Sequence, residues 1–168
     1  MNRLALVGFV ASLLGYSCAQ QPVAEYPSKG ELIEVESVTN QAEDGITGVA
    51  ITEVNDTSYQ LSVTIQSSDT GCNQYANWWE VITEDGRLLY RRILAHSHVD
   101  EQPFTRSGGP VEIEADEVVI VRSHMYPTGY HTQAMKGSFT EGFEPATLPA
   151  DFATELAETD PLPTGCTF

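Results

Sequence analysis

The segment of residues 59–66 constrains the fold of this chain more than any other feature. Apolar and polar side chains alternate strictly along it, in the order Tyr-Gln-Leu-Ser-Val-Thr-Ile-Gln. A period of two places the apolar set on one face of an extended strand and the polar set on the other. The segment therefore predicts a β-strand with one buried and one solvated face.

Further short apolar segments are separated by residues that favour turns. These turns are Asn55-Asp56, Glu84-Asp85-Gly86, Ser107-Gly108-Gly109-Pro110 and Pro127-Thr128-Gly129. Strands are predicted around 49–51, 78–83, 88–95, 111–113, 118–125 and 130–139, and no ten-residue helical stripe interrupts them. This spacing is typical of antiparallel all-β domains. We predict an antiparallel sandwich of about seven or eight strands across residues 31–139.

The order of the segments resembles the immunoglobulin-like sandwich, because the strand with Trp78 and Trp79 precedes a hairpin and long late strands. A small cupin-like β-barrel is the alternative. An architecture of this kind implies no function by itself.

The N-terminus has the composition of a secretory signal. Arg3 precedes an apolar run over residues 4–14, which is too short to span a bilayer. Ser17-Cys18-Ala19 fits ordinary signal peptidase, whereas residues 15–18 resemble a bacterial lipobox that would leave Cys18 acylated. We predict a signal peptide over 1–19 and an exported bacterial protein of the periplasm, outer membrane or cell surface. An acylated Cys18 would tie it to a membrane surface.

Two flanking segments lack apolar periodicity. Residues 20–30 contain Pro22 and Pro27 and are predicted to be a tether. Residues 140–168 carry four prolines, six acids and no base, which predicts an irregular tail with at most a short helix over 151–158.

Cys72 and Cys166 are the only thiols left if Cys18 is acylated or removed. In an oxidising compartment they are expected to form a disulfide that pins the tail to the domain. A paired cysteine cannot be a nucleophile or a thiolate metal ligand.

The charge balance excludes nucleic acid as a partner. Removal of the signal leaves seven of the eight basic residues and all twenty-four acids. Such a field repels phosphate backbones and anionic lipid. It favours solubility outside the cell, or attraction of cations or of a basic partner.

All four histidines of the chain, His96, His98, His124 and His131, lie between residues 96 and 131. His96 and His98 would project to one side of a strand and could chelate a metal together with His124, with His131 or Glu101 completing the shell. Zinc would favour histidine with a carboxylate, and copper would accept Met125 or Met135. Ordinary histidines that bond to nearby carboxylates or carbonyls are the alternative.

Two motif resemblances point to metal. The run 96–101, followed by Gly108, resembles the first cupin motif, in which two histidines and a glutamate hold a metal. The spacing from His98 to Glu101 is shorter than in that motif. His124-Met125 with Met135 is similar to half of a periplasmic copper chaperone motif. These resemblances imply a carrier or a cupin-like metalloenzyme that uses zinc or copper.

Arginines are concentrated in the same region. Arg92, Arg106 and Arg122, with Trp78 as a stacking surface, could bind a small anion, a sugar or a protein. Internal ion pairs with Asp100, Glu101 or Glu80 are the alternative. The sequence contains no nucleophile elbow, phosphate loop or HExxH motif. We therefore expect a non-enzymatic binding or accessory lipoprotein, with a metal-binding protein as the second hypothesis.

Overall fold

The computed structural model describes residues 43–167, so the predicted signal peptide, Cys18, the tether and the predicted domain start at residue 31 lie outside the described residues. The described part contains nine strands and one 3₁₀ helix. The strands are β1 (Gly45–Asn55), β2 (Ser58–Gln66), β3 (Tyr75–Thr83), β4 (Leu88–Ile93), β5 (Phe104–Glu112), β6 (Val119–Tyr126), β7 (Gly129–Tyr130), β8 (Gln133–Ser138) and β9 (Gly142–Thr147). The 3₁₀ helix spans Thr154–Glu158.

The strands form one sheet in the order β4-β3-β6-β8-β1-β2-β5, with β7 beside β6 and β9 beside β8. All pairings are antiparallel except a short parallel contact of β1 with β8. The sheet curls until its two outer strands, β4 and β5, lie close together. Arg92 Nε on β4 donates to the Ser107 carbonyl on β5 at 3.2 Å. The all-β antiparallel prediction is confirmed, in the form of a nearly closed sheet.

The interior of this sheet is filled by the alternating strand predicted from the sequence. Tyr59, Leu61, Val63 and Ile65 of β2 are all buried in one core cluster. Trp79 and Val81 of β3 point into the same cluster. Burial of an aliphatic side chain of this size stabilises a fold by about 1.5–3 kcal/mol, so this face is a main source of stability.

The outer faces of β3 and β6 are covered as well. Every residue of β3 is buried, because residues 148–167, which we call the C-terminal strap, lie across its outer side. Ile82 and Ile120 pack there against Leu156 of the 3₁₀ helix. The strap leaves the sheet where Leu148 N donates to the Thr132 carbonyl, and it ends where Thr167 N donates to the Ala95 carbonyl.

The predicted disulfide is present and holds the end of the strap. Cys72 and Cys166 are bonded, with their Cα atoms 5.5 Å apart and 94 residues apart in sequence. The predicted short helix near residues 151–158 is also present, as the 3₁₀ helix.

Two boundaries differ from the sequence prediction. Ser107–Pro110 was predicted to be a turn but lies inside β5, where Gly109 has a φ of +143° beside a register shift. Gly108 faces Trp79 and Tyr90 so closely that a Cβ atom would lie 2.8 Å from the indole. The glycines therefore serve a strand bulge and a close packing contact. The tail also begins later than residue 140, because Gly142–Thr147 forms β9.

Candidate functional site

The four histidines fall into two groups on different elements. His96 and His98 lie in the connection between β4 and β5, and not in a strand as predicted. Their rings nevertheless lie side by side, with centroids 4.6 Å apart. His124 is on β6, and His131 follows β7, which pairs with β6. Among residues 43–167, no three or more His, Cys, Asp or Glu side chains are grouped so that they could hold a metal.

His98 occupies an unusual environment for a histidine. It is 4% exposed, and its ring stacks on Phe104 with centroids 3.8 Å apart. Neither ring nitrogen has a hydrogen-bond partner among the described residues. Burial, with Arg106 and His96 nearby, lowers the pKa of His98 below its usual value and favours the neutral ring.

Asp69 organises the connection that carries this histidine. Its carboxylate accepts hydrogen bonds from the His98 backbone N–H at 2.7 Å, the Ala76 N–H at 2.9 Å and the Ser67 hydroxyl at 2.7 Å. Its Oδ2 atom also lies 3.9 Å from His98 Nδ1. Sequence reasoning missed Asp69, because its partners come from three separate segments.

The histidine groove is an open depression of about 480 Å³ formed by this connection. Its lining residues are Thr70, His96, Ser97, His98, Val99, Asp100 and Glu101. Glu101 is paired with Arg106, whose two terminal nitrogens lie 3.1 and 2.7 Å from its carboxylate oxygens. That hydrogen-bonded pair lowers the pKa of Glu101 and raises the pKa of Arg106. Glu101 is thus held by an arginine.

His124 is a packing and orienting residue. Its ring stacks on Trp78 with centroids 3.8 Å apart, and its Nδ1 atom lies 2.7 Å from Asn77 Oδ1. Burial is the main reason that the pKa of His124 falls to about 3, with Arg91 acting in the same direction. His131 has a separate partner, because its Nδ1 atom lies 2.8 Å from the Ser123 hydroxyl.

Arg122 belongs to a buried ion network that spans three neighbouring strands. Glu80 on β3 lies opposite Arg91 on β4 and opposite Arg122 on β6 in the sheet register. Arg91 Nε donates to Glu80 Oε2 at 2.8 Å, and Arg122 Nε donates to Glu80 Oε1 at 2.9 Å. The side chains of all three residues are at most 1% exposed.

The same guanidinium groups hold the C-terminal strap. Arg122 donates to the carbonyls of Phe152 and Ala153 at 2.5 and 2.8 Å. Arg91 donates to three further strap carbonyls, those of Leu156, Thr159 and Pro161.

Aromatic rings pack against both cations. Arg91 lies 4.5 Å from the centroid of Trp78, and Arg122 lies 3.5 Å from that of Tyr130. Burial and the neighbouring Glu80 raise the pKa of Tyr130 to about 12. Arg122 and Trp78, both predicted to bind a ligand, therefore contact other residues of the protein. The guanidinium group of Arg122 bonds to Glu80 and to the strap.

The tyrosine cleft is a second depression, of about 420 Å³, between the sheet and the end of the strap. Its lining residues are Cys72, Tyr75, Asn77, Tyr126, Pro163, Thr164, Gly165 and Cys166. None of these side chains carries a charge at neutral pH. Tyr126 is 49% exposed, and its ring centroid lies 6.2 Å from that of Tyr75.

Asn77 supplies the buried polar group of this cleft. It is 3% exposed, and its Oδ1 atom is engaged by His124. Asn77 also lines the cleft. Sequence reasoning missed Asn77, although an amide inside the apolar run of β3 was a signal that could have been used.

No family model and no solved structure matches the chain. Within the described residues, no helix has the length and apolar character required to cross a membrane. The chain is similar to a curated protein of Halomicrobium mukohataei described as "Putative lipoprotein", with 34% identity over 114 residues. The match covers 66% of this chain and 56% of that protein, so the chain spans little more than half the length of this relative.

Proposed function

We propose that this protein is an exported, lipid-anchored envelope protein whose β-domain is a non-enzymatic binding module for neutral carbohydrate. The anchor is Cys18, which follows a signal-like apolar segment. The relative described as a lipoprotein supports this part of the proposal. The periplasm, the outer membrane and the cell surface are all compatible with it.

The tyrosine cleft carries the binding part of the proposal. Its volume of about 420 Å³ is within the range of small-molecule sites. The ring of Tyr126, which is 49% exposed, offers an apolar face that can stack on the C–H face of a sugar, and its hydroxyl can bond to sugar hydroxyls, whereas Tyr75 is buried beside it. The buried Asn77 amide, oriented by His124, adds donors in a fixed direction.

Charge determines the ligand class. The cleft is lined by uncharged side chains, in a protein with a formal net charge of -16. An anion would meet repulsion from the overall field and no cation in the cleft. A neutral polyhydroxylated molecule needs only hydroxyl, amide and aromatic contacts, which are the groups present. The guanidinium groups of Arg92, Arg106 and Arg122, predicted from the sequence to bind an anion, are each bonded within the protein.

The anchor is tested by replacing Cys18 with alanine in the full-length chain. The unmodified protein, produced in a bacterial host, is expected to incorporate labelled fatty acid and to enter the detergent phase on phase separation. Cys18→Ala should lose the label and move to the aqueous phase, because acyl chains supply the membrane affinity. An unlabelled wild-type protein, or a variant that still enters the detergent phase, would contradict lipidation at Cys18.

The cleft is tested by saturation-transfer NMR with glucose, galactose, N-acetylglucosamine and their short oligomers. At least one is expected to bind, and Tyr126→Ala should weaken its binding about ten-fold through loss of the stacking surface. Val54→Ala is the control, because Val54 is 59% exposed and does not line the cleft. Glucuronic acid should bind more weakly than glucose. Absence of binding by all neutral sugars, or equal binding by Tyr126→Ala, would overturn the carbohydrate proposal.

A further inference from the structure

We propose that the paired imidazoles of His96 and His98 bind a divalent transition metal ion of the zinc type in the histidine groove. This site shares no residue with the tyrosine cleft, so it stands or falls independently of the carbohydrate proposal. The site uses only two of the four histidines that the sequence singled out.

The first argument is the geometry of the pair. The ring centroids of His96 and His98 are 4.6 Å apart and the rings are tilted by 39°. Imidazole nitrogens lie about 2.0–2.1 Å from a bound zinc ion. Two rings this close can each direct one nitrogen at the same ion once the side chains rotate. Two remaining positions of a tetrahedral shell would be open to water.

The second argument is the unsatisfied state of His98. Its two nitrogens are buried without a hydrogen-bond partner among the described residues, and leaving a buried polar group unpaired is unfavourable. A metal on one nitrogen would remove one of these deficits. If His98 served only for packing, a phenylalanine would make the same stacking contact with Phe104 and would bury no unpaired nitrogen.

The third argument is the position of Asp69. Histidines that bind metal usually direct their other ring nitrogen at a carboxylate or carbonyl, which fixes the tautomer and the orientation of the ring. Asp69 Oδ2 lies 3.9 Å from His98 Nδ1, and it also holds the His98 backbone. A small rotation of the ring would let Asp69 accept a hydrogen bond from Nδ1 and act as a positioning residue, with the Nε2 atom of His98 left for the metal.

The surrounding charges permit a cation. Arg106 is the nearby positive group, and it is paired with Glu101. Asp100 on the rim of the groove adds a negative charge. Glu101, predicted from the sequence to be a ligand, is paired with this arginine.

The experiment is calorimetric titration of the untagged protein with ZnCl₂ at neutral pH, with MgCl₂ as the hard-cation comparison. One equivalent of zinc is expected to bind, and magnesium is expected to give no signal, because imidazole ligands suit zinc and not magnesium. X-ray absorption of the zinc complex should show two imidazole ligands. His96→Ala and His98→Phe should each weaken zinc binding at least about ten-fold.

The fold of each variant is checked in parallel, so that a loss of zinc binding can be distinguished from a loss of folding. His98→Phe should fold with unchanged circular dichroism, since a phenyl ring keeps the stacking contact with Phe104. His131→Gln is the matched control, because His131 bonds to Ser123 and lies outside the groove, and its zinc affinity should be unchanged. Zinc binding that is absent in the wild type, retained in both groove variants, or equally lost in His131→Gln would overturn the proposal.

Discussion

Replacing Glu80 by glutamine is expected to lower the free energy of unfolding by about 3–5 kcal/mol, the usual cost of removing one partner from a buried ion pair. Glu80 is fully buried between Arg91 and Arg122, and glutamine keeps its volume while it removes the charge. Two guanidinium groups would then be buried without a carboxylate. Urea denaturation at neutral pH measures the change, with the fluorescence of the buried Trp78 and Trp79 as the signal.

The matched control is Glu101→Gln, the same chemical change in an exposed pair. Arg106 bonds to Glu101 in a two-pronged contact, but the Glu101 side chain is 58% exposed. An exposed pair contributes at most about 1 kcal/mol, so this variant should remain close to the wild type. Equal and small losses in both variants would show that the network at Glu80 is not a source of stability.

The network also explains how the C-terminal strap, whose regular structure among the described residues is one short 3₁₀ helix, is held on the sheet. Strap carbonyls that would otherwise be buried without donors are bonded by Arg91 and Arg122. Replacing the whole triad with apolar residues is therefore not expected to be neutral, since the carbonyls would lose their donors. The docking of the strap therefore depends on Glu80, which holds the guanidinium groups of Arg91 and Arg122 in position.

The parts of the fold that were predicted correctly depend on local physics. Strict alternation over residues 59–66 identifies β2 and its buried face, and Glu84-Asp85-Gly86 marks the turn after β3, where Gly86 has a φ of +83°. The disulfide followed from counting the thiols left after export. Each of these signals is contained in a few residues or in composition.

The parts that were missed depend on contacts between distant segments. A glycine in a sequence can indicate either a turn or a position of close packing. At Gly108 the close approach of Trp79, which is seen only in the folded structure, shows that the reason is packing. β9 was missed because Pro145 and polar residues hide its pairing with β8. Such pairing becomes visible only when the neighbouring strand is in place.

The candidate sites show the same division. The histidine region was visible in composition, but the arrangement of its members depends on tertiary structure. Strand pairing places His124 beside Trp78, and the conformation of the connection between β4 and β5 brings His96 beside His98. The tyrosine cleft could not be anticipated, because its wall combines β3, β6 and the end of the strap. Residues from three distant segments leave no motif in the sequence.

Removing the disulfide through the double substitution Cys72→Ser and Cys166→Ser is expected to lower the free energy of unfolding by about 4–5 kcal/mol. The bond closes a loop with a sequence separation of 94 residues, so its loss gives the unfolded chain much more conformational freedom. The strap should stay docked in the native state, because Arg91, Arg122 and the bond from Thr167 to Ala95 remain. Urea denaturation of the wild type and of the double variant measures the loss.

The dependence of unfolding on urea distinguishes an effect on the unfolded chain from damage to the native fold. An unfolded chain without the cross-link exposes more surface, so the slope of free energy against urea should rise in the double variant. Reduced wild-type protein should match the variant in both slope and stability. If the loss were below about 1 kcal/mol, or if the slope fell, the loop-entropy account would be wrong. The folded core would then owe its stability to the sheet and the arginine network, with the disulfide restricted to shaping the cleft that it lines.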